Sequence, residues 1–240
     1  MADVRERARN DPGQYDDLVD EWWDPRGGFA MLHWLAAARA DLVPPAGPGR
    51  GLLVDLGCGA GLLAPWLAGK GYRHVGVDLT ATALDQARRH GVAAVRGDVA
   101  RVPLADGCAD VVVAGEILEH VPDLPAVLAE ACRLLRPGGL LVLDTIAATA
   151  LARVVAVTVA ERLPGGPPPG IHDPGLFVDR AVLRRECARH GVVLELRGIR
   201  PSVVDLARWA AGRADLVRMV PVPTTAVLFQ GVGRRAGARG

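Results

Sequence analysis

The segment Leu52-Leu53-Val54-Asp55-Leu56-Gly57-Cys58-Gly59-Ala60-Gly61 constrains this chain more than any other. An apolar run ends in an acid, a glycine-rich turn follows, and a helical pattern opens behind it from Leu62 to Leu67. A second apolar run, Val75-Gly76-Val77-Asp78, also ends in an acid. Strand, helix, strand in this order begins a parallel sheet with helices packed on its faces. Glycines at the tip of the first strand let backbone N–H groups approach a ligand at the positive end of the next helix. An acid at the tip of the second strand can accept from both hydroxyls of a ribose. Together they predict a site for an adenosine-containing molecule.

The alternation continues along the chain. Strands are expected at 52–56, 74–78, 92–96, 110–114, 139–144, 192–199 and 224–230, and helices at 60–69, 81–90, 123–135 and 179–190. Arg136-Pro137-Gly138-Gly139 stops a helix ahead of the fifth strand. The Pro/Gly run from Pro44 to Gly49 is a linker into the core. The expected organisation is an N-terminal helical cap (1–49), a cofactor-binding core (50–145), an insert (146–175), the C-terminal part of the core (176–232) and a disordered tail (233–240). The insert is largely apolar from Ile146 to Leu163 and then rich in proline and glycine. It reads as a helical lid over a pocket. A hydrophobic cover that touches a membrane surface is the alternative, although Arg153, Glu161 and Arg162 and the lack of an aromatic belt speak against insertion.

Composition narrows the partners. The chain has 240 residues, enough for one domain with a full core. A net charge of +1 leaves no basic footprint for nucleic acid. The four cysteines (58, 108, 132 and 187) lack metal-ligand spacing and fit reduced thiols. A polar N-terminus and the absence of a membrane-length apolar stretch predict a cytoplasmic protein with membrane contact that is at most peripheral.

Which adenosine-containing molecule is meant follows from the spacing. The dinucleotide fingerprint is G-x-G-x-x-G, whereas this chain has G-x-G-x-G with Leu62 at the next position. Asp55 directly before the turn suits a cationic ligand better than a pyrophosphate. The combination resembles class I S-adenosylmethionine-dependent methyltransferases. That resemblance implies a Rossmann-like doubly wound α/β sheet of seven strands, the last antiparallel. A nicotinamide dehydrogenase is the distant alternative.

The resemblance becomes narrower elsewhere. Trp22-Trp23-Asp24 with Gly28-Phe29 and Leu32-His33, Gly115-Glu116-Ile117-Leu118-Glu119-His120-Val121, and His172-Asp173 with Phe177 look like the ubiquinone-biosynthesis O-methyltransferases. It covers roughly residues 15–200, and the Trp-Trp-Asp and Glu-x-x-Glu-His runs are its most specific parts. Two departures concern the substrate side. Asp144-Thr145-Ile146-Ala147-Ala148 replaces the family's Ser/Thr-x-Asn-Arg after strand 5, and Trp34, Leu35 and three alanines replace basic residues after His33. The implied activity is methyl transfer from S-adenosylmethionine to a phenolic, catechol or quinol hydroxyl of a small aromatic substrate, with or without an apolar tail. Methylation of nitrogen or carbon on a natural product is the alternative within catalysis. A non-catalytic cofactor-binding scaffold is the alternative outside it.

By resemblance, Asp55, Gly57, Gly59 and Gly61 surround the methionine portion of the cofactor and Asp78 holds the ribose, with Leu79 beside it. Arg39 falls where the family sets an arginine against the cofactor's carboxylate, a bidentate contact that a guanidinium suits. Asp98, followed by Val99, stands where an acid accepts from the adenine amino group; it could equally be a turn residue. Gly115 offers backbone contact at the end of strand 4. Glu116, Glu119 and His120 share one face if their segment is helical, since they are spaced i, i+3, i+4. Such a set would bind a divalent cation, Mg2+ or similar, which would hold a catechol and lower the pKa of its hydroxyl. Without metal, His120 or His172 is the general base, the latter oriented by Asp173. Trp22 and Trp23 are expected to pin the N-terminal helix over the core.

Overall fold

The computed structural model describes residues 8–162 and 167–237. Residues 1–7 of the expected cap, 163–166 of the Pro/Gly hinge and 238–240 of the expected tail lie outside the described residues. Eight strands form one sheet: β1 (Gly51–Leu56), β2 (Tyr72–Asp78), β3 (Ala93–Arg96), β4 (Ala109–Gly115), β5 (Leu135–Ile146), β6 (Val192–Pro201), β7 (Met219–Val222) and β8 (Leu228–Arg235). Their order is β3-β2-β1-β4-β5-β8-β6-β7. β1 to β5 pair in parallel, and β8 lies antiparallel between β5 and β6. The expected seven strands and the antiparallel last one are all present. The eighth strand is the short β7, which pairs antiparallel with β6 at the sheet edge.

The period-two alternation of a buried strand divides the core in two. Val54 and Leu56, Val112 and Ala114, and Leu141 and Leu143 point to one face, where α5 (Leu124–Leu134) and α7 (Arg180–Arg189) cover them. Leu53, Val111, Val113, Leu140 and Val142 point to the other, against Ala40, Val43, Leu63 and Leu67. The remaining helices are α1 (Gly13–Asp17), α2 (Ala30–Ala40), α3 (Ala64–Leu67), α4 (Ala81–Arg89), α6 (Ala150–Arg153) and α8 (Val203–Ala210). The strand order reverses between β1 and β4. A crevice therefore opens beyond the carboxyl ends of these strands, which is where open α/β sheets bind ligands.

Three elements differ from expectation. The helix expected over 60–69 is cut to α3, because Gly57, Gly59 and Gly61 all take positive φ and hold the chain in turns up to Leu63. The final strand runs from Leu228 to Arg235, so residues 233–235, expected in a disordered tail, belong to the sheet. The insert carries α6, a π-helical stretch Val154–Val159 and a 3-10 turn Ala160–Arg162. Its Ala152 and Ala156 pack on Leu35, Ile146 and Phe177, while Leu151 and Val154 stay exposed. No helix among the described residues is long and apolar enough to cross a membrane.

Candidate active site

A cavity of about 530 Å3 occupies the crevice. Its lower wall is the turn after β1. Here the Gly57 and Cys58 amides donate to Val77 O (2.8 and 3.2 Å), Gly59 N to Asp78 Oδ2 (2.9 Å) and Gly61 N to Cys58 O (2.9 Å). These amides, expected to face a ligand, are used within the protein, three of them on β2 and one inside the loop, so the turn is no anion cradle of the phosphate-binding kind. Gly59, at φ +49°, leaves room for Trp22, whose ring would sit 2.7 Å from a Cβ placed there. Trp22 in turn stacks on Phe29 (4.4 Å between centroids) and Tyr15 (5.7 Å), and it lines the cavity while pinning the N-terminal segment to the loop. Gly57 and Gly59 line the cavity. Gly61 is not among the lining residues: it packs against Ala87 and Val92, and its glycine is needed for that contact.

Acids surround the rest of this half. Asp78 receives the Gly59 and Thr80 amides (2.9 and 2.8 Å), and burial raises its pKa against those hydrogen bonds. Leu79 beside it is 53% exposed at the cavity mouth. Asp98 accepts from Ala100 N (2.8 Å), which makes it the turn residue it could have been, yet it also lines the cavity next to Val99. Asp55, buried, faces His74 Nε2 at 3.2 Å and reaches the cavity.

Arg39 is held differently from expectation. Its Nε and Nη2 donate to Asp144 Oδ2 and Oδ1, both at 2.7 Å, so the bidentate fork is already engaged. Burial works against the charge, and the Asp144 carboxylate outweighs it and raises the guanidinium pKa. Both residues are buried, and the guanidinium lies across Gly115, where any Cβ would overlap it. Gly115 is therefore glycine to admit Arg39, and both line the cavity. Nothing local in the sequence marked Asp144 as its partner, 105 residues away.

The upper wall is built from Glu116, Ile117 and His120 and from His172 near the end of the insert, with Glu119 buried behind it. The segment 116–120, whose shared face depends on its being helical, is not an α-helix: Glu116 has φ +51°, and only Leu118–His120 form a 3-10 turn. The i, i+3, i+4 argument therefore fails. Ligand-type atoms of Glu119, His120 and His172 lie within 4.8 Å of one another, and Glu116 is not in that group. Glu119, fully buried, accepts from Thr145 Oγ1 (2.7 Å) and leaves Oε1 without a partner. Glu116 Oε1 and His172 Nδ1 also lack partners. Burial first, then the neighbouring acids, pushes the Glu116 carboxyl up, and burial pushes Glu119 to about 7 against the Thr145 hydrogen bond.

The imidazoles of His120 and His172 stack at 5.4 Å between centroids. Burial, with the other ring's charge, lowers His120 to about 3; burial, with Arg9 nearby, lowers His172 to about 4. Both rings are neutral at pH 7. That runs against the expected general base of ordinary pKa, since a base works best near the operating pH. Asp173 accepts from Gly175 N (2.8 Å) in its own turn, and the acid nearest the His172 ring is Glu161, at 3.9 Å from Nδ1. Tyr15 from the N-terminal segment completes the wall, its phenol raised by burial and by Glu119, Asp78 and Glu116.

Comparison with known proteins agrees with this geometry. Residues 54–143 match the methyltransferase domain family. The ubiquinone biosynthesis O-methyltransferase of Ralstonia nicotianae is 37% identical over 182 residues, which is 71% of this chain and 76% of that protein. The enzyme of the same name from Thiobacillus denitrificans is 36% identical over 76% of this chain and 82% of its own. Among solved structures, a possible histamine N-methyltransferase from Thermotoga maritima superposes with a TM-score of 0.65 at 18% identity, covering 92% of this chain and 96% of that one. Geranyl diphosphate C-methyltransferase from Streptomyces coelicolor gives 0.57 at 19% identity, over 84% and 75%. The glycine loop, the acids at the strand tips and these relatives agree: the chain is an S-adenosylmethionine-dependent methyltransferase and belongs to the ubiquinone biosynthesis O-methyltransferase family.

Proposed function

We propose that the protein methylates a hydroxyl of a phenol, catechol or quinol at the wall formed by His120 and His172, with Glu119 buried behind them. The observation that carries the reading is that His120 and His172 line the cavity while Glu119, fully buried behind them, brings a carboxylate oxygen within 4.8 Å of both. Bound against Asp78 and the glycine loop, the cofactor supplies an electrophilic methyl carbon. The protein must then align an oxygen with that carbon and take one proton. Glu119 suits the proton once it is passed on from the cavity wall: it lies within 4.8 Å of both imidazoles, its carboxyl stands at about 7 and its Oε1 has no partner. The neutral imidazoles orient the hydroxyl. Arg39 can still meet the cofactor's carboxylate through its free Nη1 edge, while Asp98 and Val99 take the adenine. Phe29, Met31, Leu32, Ile117 and Ile171 line the cavity and suit an aromatic ring with an apolar substituent. Segment 146–175 serves as the lid, bringing Pro167, Ile171 and His172 to the cavity. We place the enzyme in the cytoplasm, with contact between lid and membrane at most peripheral.

A divalent cation is a second reading, favoured by the unpartnered Glu119 Oε1 and His172 Nδ1. Two imidazoles and a carboxylate fit Zn2+, Mn2+ or Fe2+ better than the Mg2+ expected from two carboxylates. Held by Glu119, His120 and His172, a cation would act as a Lewis acid that favours the phenolate.

The test is methyl transfer to a panel of alkyl catechols and demethylated quinols, with chelator or with each metal added back. Turnover indifferent to chelator supports Glu119 as the proton acceptor. Loss on chelation with recovery on Mn2+ or Zn2+ supports the cation. Turnover only on amine or carbon nucleophiles overturns the oxygen reading, and cofactor binding without any turnover would point to a scaffold.

A further inference from the structure

We propose that Asn10 is a positioning residue that fixes the tautomer of His120 and so turns the Nε2 lone pair toward the cavity; this rests on the reading of the site given above. Asn10 contacts His120 twice. Its Nδ2 donates to the His120 carbonyl oxygen at 2.9 Å, which orients the side-chain amide and leaves Oδ1 facing the ring. Oδ1 lies 2.6 Å from His120 Nδ1. An amide oxygen only accepts, so Nδ1 must carry the proton. A neutral imidazole protonated at Nδ1 has its lone pair at Nε2.

The ring packs against a second imidazole, that of His172, at 5.4 Å between centroids. Nε2 meets Tyr15 Oη at 3.5 Å, the far limit of a hydrogen bond. The lone pair is thus only loosely engaged, and it sits in the wall of the cavity. A substrate hydroxyl and a cation both require a lone pair there, so Asn10 serves either form of the proposed chemistry. A ring free to choose would lose part of its population to the tautomer with a proton at Nε2.

Asn10 is itself held from both sides. Its backbone is left-handed (φ +61°), a conformation asparagine tolerates better than most residues. Its amide donates to Gly170 O at 3.1 Å, and Gln14 Nε2 reaches the same oxygen at 3.2 Å. Arg9 donates to the His172 carbonyl at 2.9 Å. The strap from Arg9 to Tyr15 thus joins the end of the lid to the turn that carries His120, across 110 residues of sequence.

The experiment uses the full chain with cofactor bound, and compares wild type with N10G and N10D. Glycine removes the amide and keeps the left-handed backbone without strain, while aspartate keeps an acceptor for Nδ1. Histidine-ring 15N NMR should show His120 of the wild type as the Nδ1–H tautomer and N10G as a mixture. In N10G kcat should fall by about 10–100-fold while cofactor Kd and substrate KM change by less than about threefold; N10D should recover most of kcat. A wild-type ring protonated at Nε2 would overturn the inference, as would an N10G protein with unchanged tautomer and rate. A parallel loss of cofactor affinity in both variants would also overturn it, because Asn10 would then only hold the strap. If wild type methylates no phenol, the proposed function fails, and the spectra still decide the role of Asn10. If N10G does not fold, wild type and N10D decide it.

Discussion

A methyl group added at Gly115 would land on the guanidinium of Arg39, and that group has nowhere cheap to go. It is buried and doubly bonded to Asp144, so displacing it strands two charges in the core. Gly115→Ala should lower the unfolding free energy by about 3 kcal/mol, read from urea melts. The histidine pair makes a second prediction. The folded-state values of about 3 and 4 lie below the ordinary 6.5, so between these limits the unfolded chain binds protons that the native one refuses. The pair's contribution is therefore complete above 6.5 and is lost as pH drops toward 4, by up to about 1.4 kcal/mol per pH unit for each ring, while Glu119, raised to about 7, works in the opposite sense above its ordinary 4.5. Replacing both with glutamine should flatten that slope, and an unchanged slope would place its source elsewhere. Asp55 and Asp78 were legible because the signal is local: an acid at the tip of an apolar run. Asp144, Thr145, Tyr15 and Asn10 were not, because each acquires its role from a partner 26 or more residues away.

Elements followed the sequence where burial and capping agreed. α7 begins at Asp179, whose Oδ1 accepts from Ala181 N (2.7 Å) and Val182 N (3.1 Å), and it buries Leu183 and Cys187. Asp179→Ala should cost about 1 kcal/mol in a thermal or urea melt, with little effect on methyl transfer. α8 escaped notice because its pattern is inverted. Val203 and Val204 are exposed, while Asp205 is buried in a pair with Arg218 at 2.6 Å. β8 was placed too early because Gly231 and Gly233 read as loop. In the sheet they allow close packing: a Cβ on Gly231 would meet Leu143, and one on Gly233 the backbone of Val193. The shared face of Glu116, Glu119 and His120 fails for a related reason, since an i, i+3, i+4 spacing cannot reveal a left-handed residue at its start.

Across the whole molecule the two halves of the cavity differ in how they are encoded. The half that we assign to the cofactor comes from consecutive strand tips within residues 55–115, and a similar fold occurs in a chain only 18% identical. The half that we assign to the substrate is assembled from the N-terminal segment, the turn after β4 and residues 167–172, so its geometry is visible only once the chain has folded. Binding should report on the first half directly. Demethylated cofactor at a hundred times its Kd should add about 2.7 kcal/mol, a rise in Tm of roughly 5–10 °C. ATP and NAD at the same concentration should leave Tm unchanged, and a comparable rise with either would contradict the internal use of the loop amides.

That loop has a consequence for selectivity inside a cell. Adenosine there is carried mostly on chains of phosphate, and most proteins that receive it extend free amides to those anions. Here the amides of Gly57, Cys58 and Gly59 are bound to Val77 and Asp78, and the acids nearby repel a polyphosphate as firmly as they welcome a sulfonium. Charge sign thus excludes the most abundant competitors before shape is tested, and the enzyme can share its solvent with a large excess of nucleotide without being occupied by it.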